Sequence, residues 1–355
     1  MENFNEMISA WKGEAVLTKF DRPTGSWIFI ALHDFTLGNP SGGTRFQVYP
    51  SPNEALLDAM RLAEGMTNKW AAIDFPHGGG KAVIAPPGPI EADDRIGLFR
   101  RYGRFLESLN GLFATGADMG TTEADIAVIG QETRFVHGLD ANHQPVDPGP
   151  YTAHGVYSGL CEALRATVGS ADPAGITVLV QGVGDVGGVL ARTLSAAGAN
   201  LLLCDLNSGL LQQVASELDA EIVAPDDIYA TACDVYAPCA VGATLNRQTI
   251  PLLKCKIVAG SANNQLAESA DANRLVERGI LYAPDYIINA GGAMSLGLAD
   301  SGSRDSKELF ARVESIGTSL AEIFQEASER SESPVLAAQR RVERILETAR
   351  AASTD

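Results

Sequence analysis

Apolar residues recur along this chain with two different periods, and the alternation between them outlines the elements. WIFIALHDF (27–35) is a β-branched and aromatic run that predicts a strand. Ser51-Pro52-Asn53-Glu54 predicts a helix start, with Ser51 as cap, Pro52 at the first helical position and Glu54 completing a capping box. Behind it, Leu56, Met60, Ala63 and Met66/Thr67 follow at helical spacing. KAVIAPP (81–87) predicts a strand ended by prolines, and 92–109 a helix.

GLDANHQPVDPGPY (138–151) packs three prolines and two glycines into one stretch, which marks a domain boundary. Thr152 to about Val168 then predicts a helix. TVLVQG (177–182), LLLCD (201–205), DVYAP (234–238), KIVAGS (256–261) and GILYAP (279–284) are short apolar runs separated by helical stretches. That alternation predicts a parallel sheet covered by helices. The tail, about 306–350, predicts helix with a break at Ser333-Pro334.

The chain has 355 residues, 45% hydrophobic and 20% charged, an ordinary globular composition that favours two domains. Its formal charge of -17 repels phosphate backbones and anionic membranes, so neither nucleic acid nor a membrane surface is an expected partner. No apolar run approaches the roughly 18 residues of a membrane span. The five cysteines are odd in number and lack a Cys-x-x-Cys pair. They read as reduced thiols without a disulfide framework or zinc site. The acidic N-terminus is no signal peptide, so a cytoplasmic setting is expected.

The strand at 177–182 runs into GVGDVG, where Gly182, Gly184 and Gly187 form G-x-G-x-x-G around Asp185 and Val186. The first glycine permits a tight turn, the second lets backbone approach a pyrophosphate, and the third packs helix on strand. Asp205 ends the next strand 23 residues after Gly182, placed to accept hydrogen bonds from ribose hydroxyls. It would repel a 2′-phosphate, and Leu206-Asn207-Ser208 offer no cation for one, so NAD is the expected cofactor.

Two lysines sit in distinctive settings: Lys69 in GMTNKWA, and Lys81 directly after Gly78–Gly80 with little cover from its sequence neighbours. Burial or a nearby cation would make Lys81 a usable base; Lys69 is a candidate for that cation, or for holding a carboxylate. Asp118, between Gly116 and Gly120, is placed to relay protons or steady an ammonium. Each of these residues, taken singly, also suits a solvated charge. His77 and His154 have no partner at metal-ligand spacing and read as structural, with no metal expected. Cys239 reads as a small buried hydrophobe.

Eight segments spread over about 250 residues carry a resemblance: GGTR (42–45), GMTNKWA (65–71), GGGKAVI (78–84), TGADMGTT (115–122), VQGVGDVGG (180–188), YAPCAVGATLN (236–246), VAGSANNQL (258–266) and YAPDYIINAGG (282–292). Together they resemble the leucine/phenylalanine/valine dehydrogenase branch of the Glu/Leu/Phe/Val amino-acid dehydrogenase family. The resemblance implies an α/β fold of two domains: an N-terminal substrate domain (1–145), a C-terminal doubly wound Rossmann NAD domain (146–330), and a cleft between them. It implies that the last helix, about 330–355, packs back on the first domain, and that the protein is a homo-oligomer.

It also implies roles. Lys69 matches the lysine that binds the substrate α-carboxylate, Lys81 the catalytic lysine that activates water, and Asp118 the aspartate that takes part in proton transfer. Gly43 falls in a stretch that contacts substrate. Thr152 matches a threonine near the nicotinamide amide, and Asn264 and Asn289 match asparagines beside nicotinamide and substrate; Ala240 falls in a cofactor-side turn. The implied reaction is reversible, NAD-dependent oxidative deamination of an L-amino acid to a 2-oxo acid and ammonia.

Glutamate enzymes of the wider family place a lysine at the Ser41 position, and leucine-type enzymes an apolar residue there. Ser41 departs from both, and Leu296, at another specificity position, is apolar. Gly116 and Ala293 are small and match phenylalanine- and tryptophan-type relatives, so an apolar, bulky or aromatic side chain is expected. Leucine or valine, or an unusual amino acid or amine, stay open as alternatives, as does a non-catalytic dinucleotide-binding regulator. Met7, Ile8 and Trp11 are candidates for an oligomer contact or for capping the core.

Overall fold

The chain begins with α1 (Phe4–Ala10) and β1 (Ala15–Asp21), and the apolar run at 27–35 follows as β2 (Ser26–Asp34), antiparallel to β1. Next come β3 (Pro40–Phe46), α2 (Pro52–Ala72), β4 (Gly78–Ala85), α3 (Ala92–Ser108), β5 (Ala114–Ala117) and α4 (Glu123–Gly130). This is the computed structural model, which describes residues 4–139, 145–300 and 306–352, with the side chains of 4–6, 296–300 and 306 outside the description. The boundary loop at 138–151 is therefore described except for 140–144.

These strands form one sheet in the order β1-β2-β4-β3-β5. Strand side chains alternate between faces. On one face Ile28, Ile30, Leu32, Ala82 and Ile84 pack against Leu98, Phe99, Tyr102, Ile126 and Ile129 of α3 and α4. On the other, Phe29, Ala31, Val83 and Ala85 pack against Met7 of α1 and Leu56, Ala59 and Met60 of α2, with Ile8 and Trp11 alongside. The N-terminal apolar residues thus cap this core.

Two sequence expectations need correction here. Ser51 caps α2 by accepting the Glu54 amide at 3.3 Å, but the reciprocal bond from Glu54 is not made; the complete capping box is at Thr122 and Asp125, which start α4. The strand expected over 81–87 begins three residues earlier, at Gly78, and ends at Ala85. Every residue of this strand, β4, is buried, Lys81 included.

After the boundary, α5 (Gly149–Val168) leads to β6 (Thr177–Gln181), α6 (Gly187–Ala196), β7 (Asn200–Cys204), α7 (Ser208–Leu218), β8 (Glu221–Ile222), β9 (Val235–Pro238) and β10 (Ile257–Val258). The chain continues through α8 (Ala270–Glu277), β11 (Leu281–Tyr282), α9 (Asp285–Ile288) and α10 (Gly291–Asp300). It closes with α11 (Ser306–Arg330) and α12 (Pro334–Ala352), separated at the expected Ser333-Pro334 break. The second sheet is parallel throughout, in the order β11-β10-β9-β6-β7-β8. Val178, Leu179 and Val180 are consecutive and all buried, so both faces of this sheet are covered. The order reverses between β6 and β9, which is the topological switch of a doubly wound dinucleotide-binding sheet.

The chain divides into two compact units: residues 1–147 with 299–302 and 342–355, and residues 148–298 with 303–341. In the first, Arg350 of α12 pairs with Asp34 at the end of β2 at 2.7 Å. No helix among the described residues is long and apolar enough to cross a membrane.

Candidate active site

In the first unit, β3 lies between β4 and β5, parallel to both. A Cβ on Gly42 of β3 would sit 1.9 Å from the Gly80 carbonyl of β4, so backbone meets backbone there and only glycine fits. Gly43 pairs with Gly116 across β3 and β5, and a Cβ on Gly43 would come within 2.9 Å of Asp118 Cβ. The strands therefore present a floor with few side chains, from which charged groups project.

Lys81 lies on β4 at the same pleat parity as Val83 and Ala85, the α2 side of the sheet. Its Nζ is 2.9 Å from Asp118 Oδ2, just beyond β5. The same oxygen accepts Arg45 Nε of β3 at 3.1 Å. Arg45 turns a second nitrogen to Asp58 of α2 at 2.8 Å, and Asp58 also accepts Tyr49 Oη at 2.7 Å and Arg61 at 2.7 Å. The Asp118 amide donates to Thr121 Oγ1 at 2.8 Å, fixing the loop that carries the carboxylate.

Burial pushes the Lys81 amine below its ordinary range; Asp118 beside it opposes this, and Arg45 adds to the lowering. Burial pushes the Asp118 carboxyl up, but the Lys81 and Arg45 cations outweigh it and hold the group below the usual carboxylate range. Arg45, which the sequence reading did not single out, is a cation that acts on Lys81. Lys69 is half-buried in the last turn of α2. It lies 11 residues, close to three full turns, from Asp58, so the two residues share one stripe of the helix.

Ser41 and Gly116 converge on a residue the sequence reading missed. Ser41 Oγ, buried, lies 2.7 Å from His137 Nε2, and a Cβ on Gly116 would lie 3.6 Å from His137 Cβ. Burial, with His77 nearby, pushes His137 down to about 3, so the ring is neutral. His77 packs edge-on against Trp70 and Phe75, and His154 pairs with Glu314 at 3.2 Å. Arg45 stands in the GGTR segment and its partner Asp118 is a named candidate, but its second partner, Asp58, is not. A carboxylate at Asp58 among the apolar positions of α2 was the one available signal.

In the second unit the glycine turn sits at the end of β6. Gly182 has φ +92°, and a Cβ on Gly187 would lie 1.9 Å from the Gly182 carbonyl, so both positions require glycine. Gly184 and Asp185 are exposed, with open space around Gly184, and Val186 caps α6. Ala240, after β9, meets Gly182 across the switch point, 2.8 Å from where a Cβ would be. Asp205 accepts the Val183 amide at 2.8 Å through one oxygen and the Asn207 amide at 2.8 Å through the other. Each oxygen keeps a second lone pair for an outside donor. Free amides at the α6 N-terminus, the open Gly184 and the adjacent carboxylate fit the pyrophosphate and ribose of a dinucleotide.

Thr152 in α5 is 2.5 Å from where a Gly292 side chain would begin, and Asn289 is buried. Asn289 Nδ2 donates to Asn263 Oδ1 at 2.6 Å, which makes Asn263 a neighbour the sequence reading passed over. Asn264 itself is exposed and left-handed at φ +51°, its carbonyl accepting the Ala243 amide at 2.7 Å. Ala293 is half-buried in α10; Leu296 lies in the same helix, its side chain outside the described residues. Cys239 is half-buried rather than fully so, its thiol pushed up by burial.

Residues 24–135 match the Glu/Leu/Phe/Val dehydrogenase dimerisation-domain model, and residues 203–353 the Glutamate/Leucine/Phenylalanine/Valine dehydrogenase model. The chain is 42% identical over 353 residues to the leucine dehydrogenase of Geobacillus stearothermophilus, covering 99% of this chain and 95% of that one. It is 44% identical over 334 residues to the phenylalanine dehydrogenase of Lysinibacillus sphaericus, covering 92% and 87%. The crystal structure of L-tryptophan dehydrogenase from Nostoc punctiforme superposes with a TM-score of 0.86 at 38% identity, over 97% of this chain and 99% of that one.

Proposed function

This chain belongs to the Glu/Leu/Phe/Val dehydrogenase family, and from that membership and the geometry above we propose that it deaminates an apolar L-amino acid oxidatively and reversibly, to the 2-oxo acid and ammonia. The observation that carries the reading is the pair of buried Lys81 and half-buried Asp118, 2.9 Å apart. A NAD held by the Gly182–Gly187 turn and Asp205 would supply the hydride acceptor for the substrate Cα.

The chain's own residues supply the rest. Lys69 binds the substrate carboxylate. Lys81, lowered by burial toward neutrality, takes a proton from the water that attacks the imine carbon. Asp118 accepts and returns protons at Lys81 and at the departing amine. The two lysines stabilise negative charge developing on the attacking oxygen. Thr152, Asn264 and Asn289 orient the nicotinamide end, and Gly182 to Gly187 with Ala240 seat the pyrophosphate.

Asp205, followed by Leu206-Asn207-Ser208 without a cation, supports NAD over NADP. The facing pair Gly43–Gly116, with Ala293 and Leu296, supports a bulky or aromatic side chain. The match to a dimerisation-domain model supports a homo-oligomer. Five cysteines, all thiols, support a reducing, cytoplasmic setting.

The test is a panel of the twenty amino acids with NAD at alkaline pH, read at the nicotinamide absorbance. Turnover is expected to be highest with large apolar side chains. Absence of turnover on every member overturns the reading.

A further inference from the structure

Arg45 occupies a place in this site that the family reading leaves without a role. Its Nε donates to Asp118 Oδ2, the oxygen that also holds Lys81 Nζ, at 3.1 and 2.9 Å. Its other arm reaches Asp58 at 2.8 Å, and Tyr49 and Arg61 hold Asp58 in turn. A planar guanidinium spans two carboxylates in fixed directions, whereas an ammonium is a point charge on a flexible stem. Arg45, Asp58 and Lys81 are all largely buried, with side-chain exposures of 15%, 16% and 8%. Charges so placed are poorly screened and act strongly on one another.

We propose that Arg45 is a positioning residue for the deamination: forked between Asp118 and Asp58, it fixes the orientation and the charge balance of the Lys81–Asp118 pair. The inference rests on the proposed roles of Lys81 and Asp118. Arg45 opposes a proton on Lys81, whereas Asp118 and Asp58 favour one, so these three groups tune the base. Arg61, 61% exposed, pairs with Asp58, and Lys69 lies on the same stripe of α2 as Asp58.

Two substitutions then act with opposite sign. R45Q removes a positive charge from beside Lys81, so the rise of kcat/KM with pH moves to higher pH. D58N removes a negative charge, so the rise moves to lower pH. R45K keeps the charge but not the fork; its rise stays near that of the parent while kcat falls, roughly tenfold or more. A merely structural role for Arg45 would lower activity without moving the profiles in opposite directions.

The experiment is the pH profile of kcat/KM for the full-length parent, R45Q, R45K, D58N and K81A. The substrate is L-phenylalanine or L-leucine, whichever the parent turns over, with NAD; its own amine titrates identically in every variant. Opposite displacements in R45Q and D58N establish the inference. Displacements of the same sign, or none in either variant, overturn it, and D58N decides alone if R45Q does not fold. A K81A enzyme with full turnover overturns the Lys81 reading and the part of Arg45 with it. An inactive K81A with an unmoved D58N profile overturns only the part of Arg45.

Discussion

The hydroxyl of Ser41 and Nε2 of His137 lie 2.7 Å apart in the interior, joining β3 to the segment that follows α4 across 96 positions of sequence. The residue that departs from both glutamate- and leucine-type patterns thus has its polarity answered from within the chain. Ser41→Ala removes that bond while leaving the backbone alone. A loss of about 1 kcal/mol of stability is expected. Urea unfolding should show a lower midpoint at unchanged slope.

His137 also predicts a pH dependence. Burial holds it at about 3 when folded, below the ordinary value of 6.5, and His33 and His77 are lowered for the same reason. Between those pH values the unfolded chain binds more protons than the folded one, so stability falls as pH drops from 6.5 toward 3. His137 alone can contribute a slope of up to about 1.4 kcal/mol per pH unit. His137→Gln should flatten the slope of unfolding free energy between pH 6 and about 4.5, above the range where the lowered carboxylates begin to titrate.

Asp205 holds two backbone amides and is proposed to select the cofactor, and substitutions separate the two. Its oxygens hold the Val183 and Asn207 amides, each at 2.8 Å. Asp205→Asn keeps a carbonyl acceptor for one of them but removes the charge proposed to reject a 2′-phosphate. The ratio of kcat/KM with NAD to that with NADP should fall about tenfold or more, which corresponds to about 1.4 kcal/mol. Asp205→Ala should lose affinity for both cofactors, because the glycine turn loses its anchor. An unchanged ratio in the Asn variant removes Asp205 from cofactor selection.

Two glycine substitutions should move stability in opposite directions. A methyl on Gly42 meets the Gly80 carbonyl at 1.9 Å, and backbone cannot swing aside as a side chain can. Gly42→Ala should cost roughly 3 kcal/mol or more, or prevent folding. Gly65, within α2, has open space where its Cβ would be. Gly65→Ala should stabilise by about 0.5–1 kcal/mol, read as a higher Tm.

The elements that the sequence announced are those whose side chains carry the information. β2 and β6 read as strands because their apolar runs are what the core buries. β3 (PSGGTRF) and β5 (ATGA) did not, although they form the floor of the candidate site. Their glycines serve close backbone approach, and a residue chosen for lacking a side chain leaves no periodicity. β8, two residues long and exposed, gave no signal either. Lys81 and Asp118 stood out by their glycine neighbours, and the structure brings them to 2.9 Å. Arg45, Asn263 and His137 left no signal, and Asp58 only its charge, because their significance lies in pairs formed between distant segments.

Asp58 and Lys69 share a stripe of α2 three turns apart, on a helix that runs unbroken from Pro52 to Ala72. This ties them to a common reading frame of rotation. One residue inserted or removed between them would turn one relative to the other by about 100° and leave one facing away. The stretch from 58 to 69 should therefore tolerate exchanges of residue far better than changes of length. Deep insertion-deletion scanning of α2 would expose that constraint as a gap bounded by these two residues.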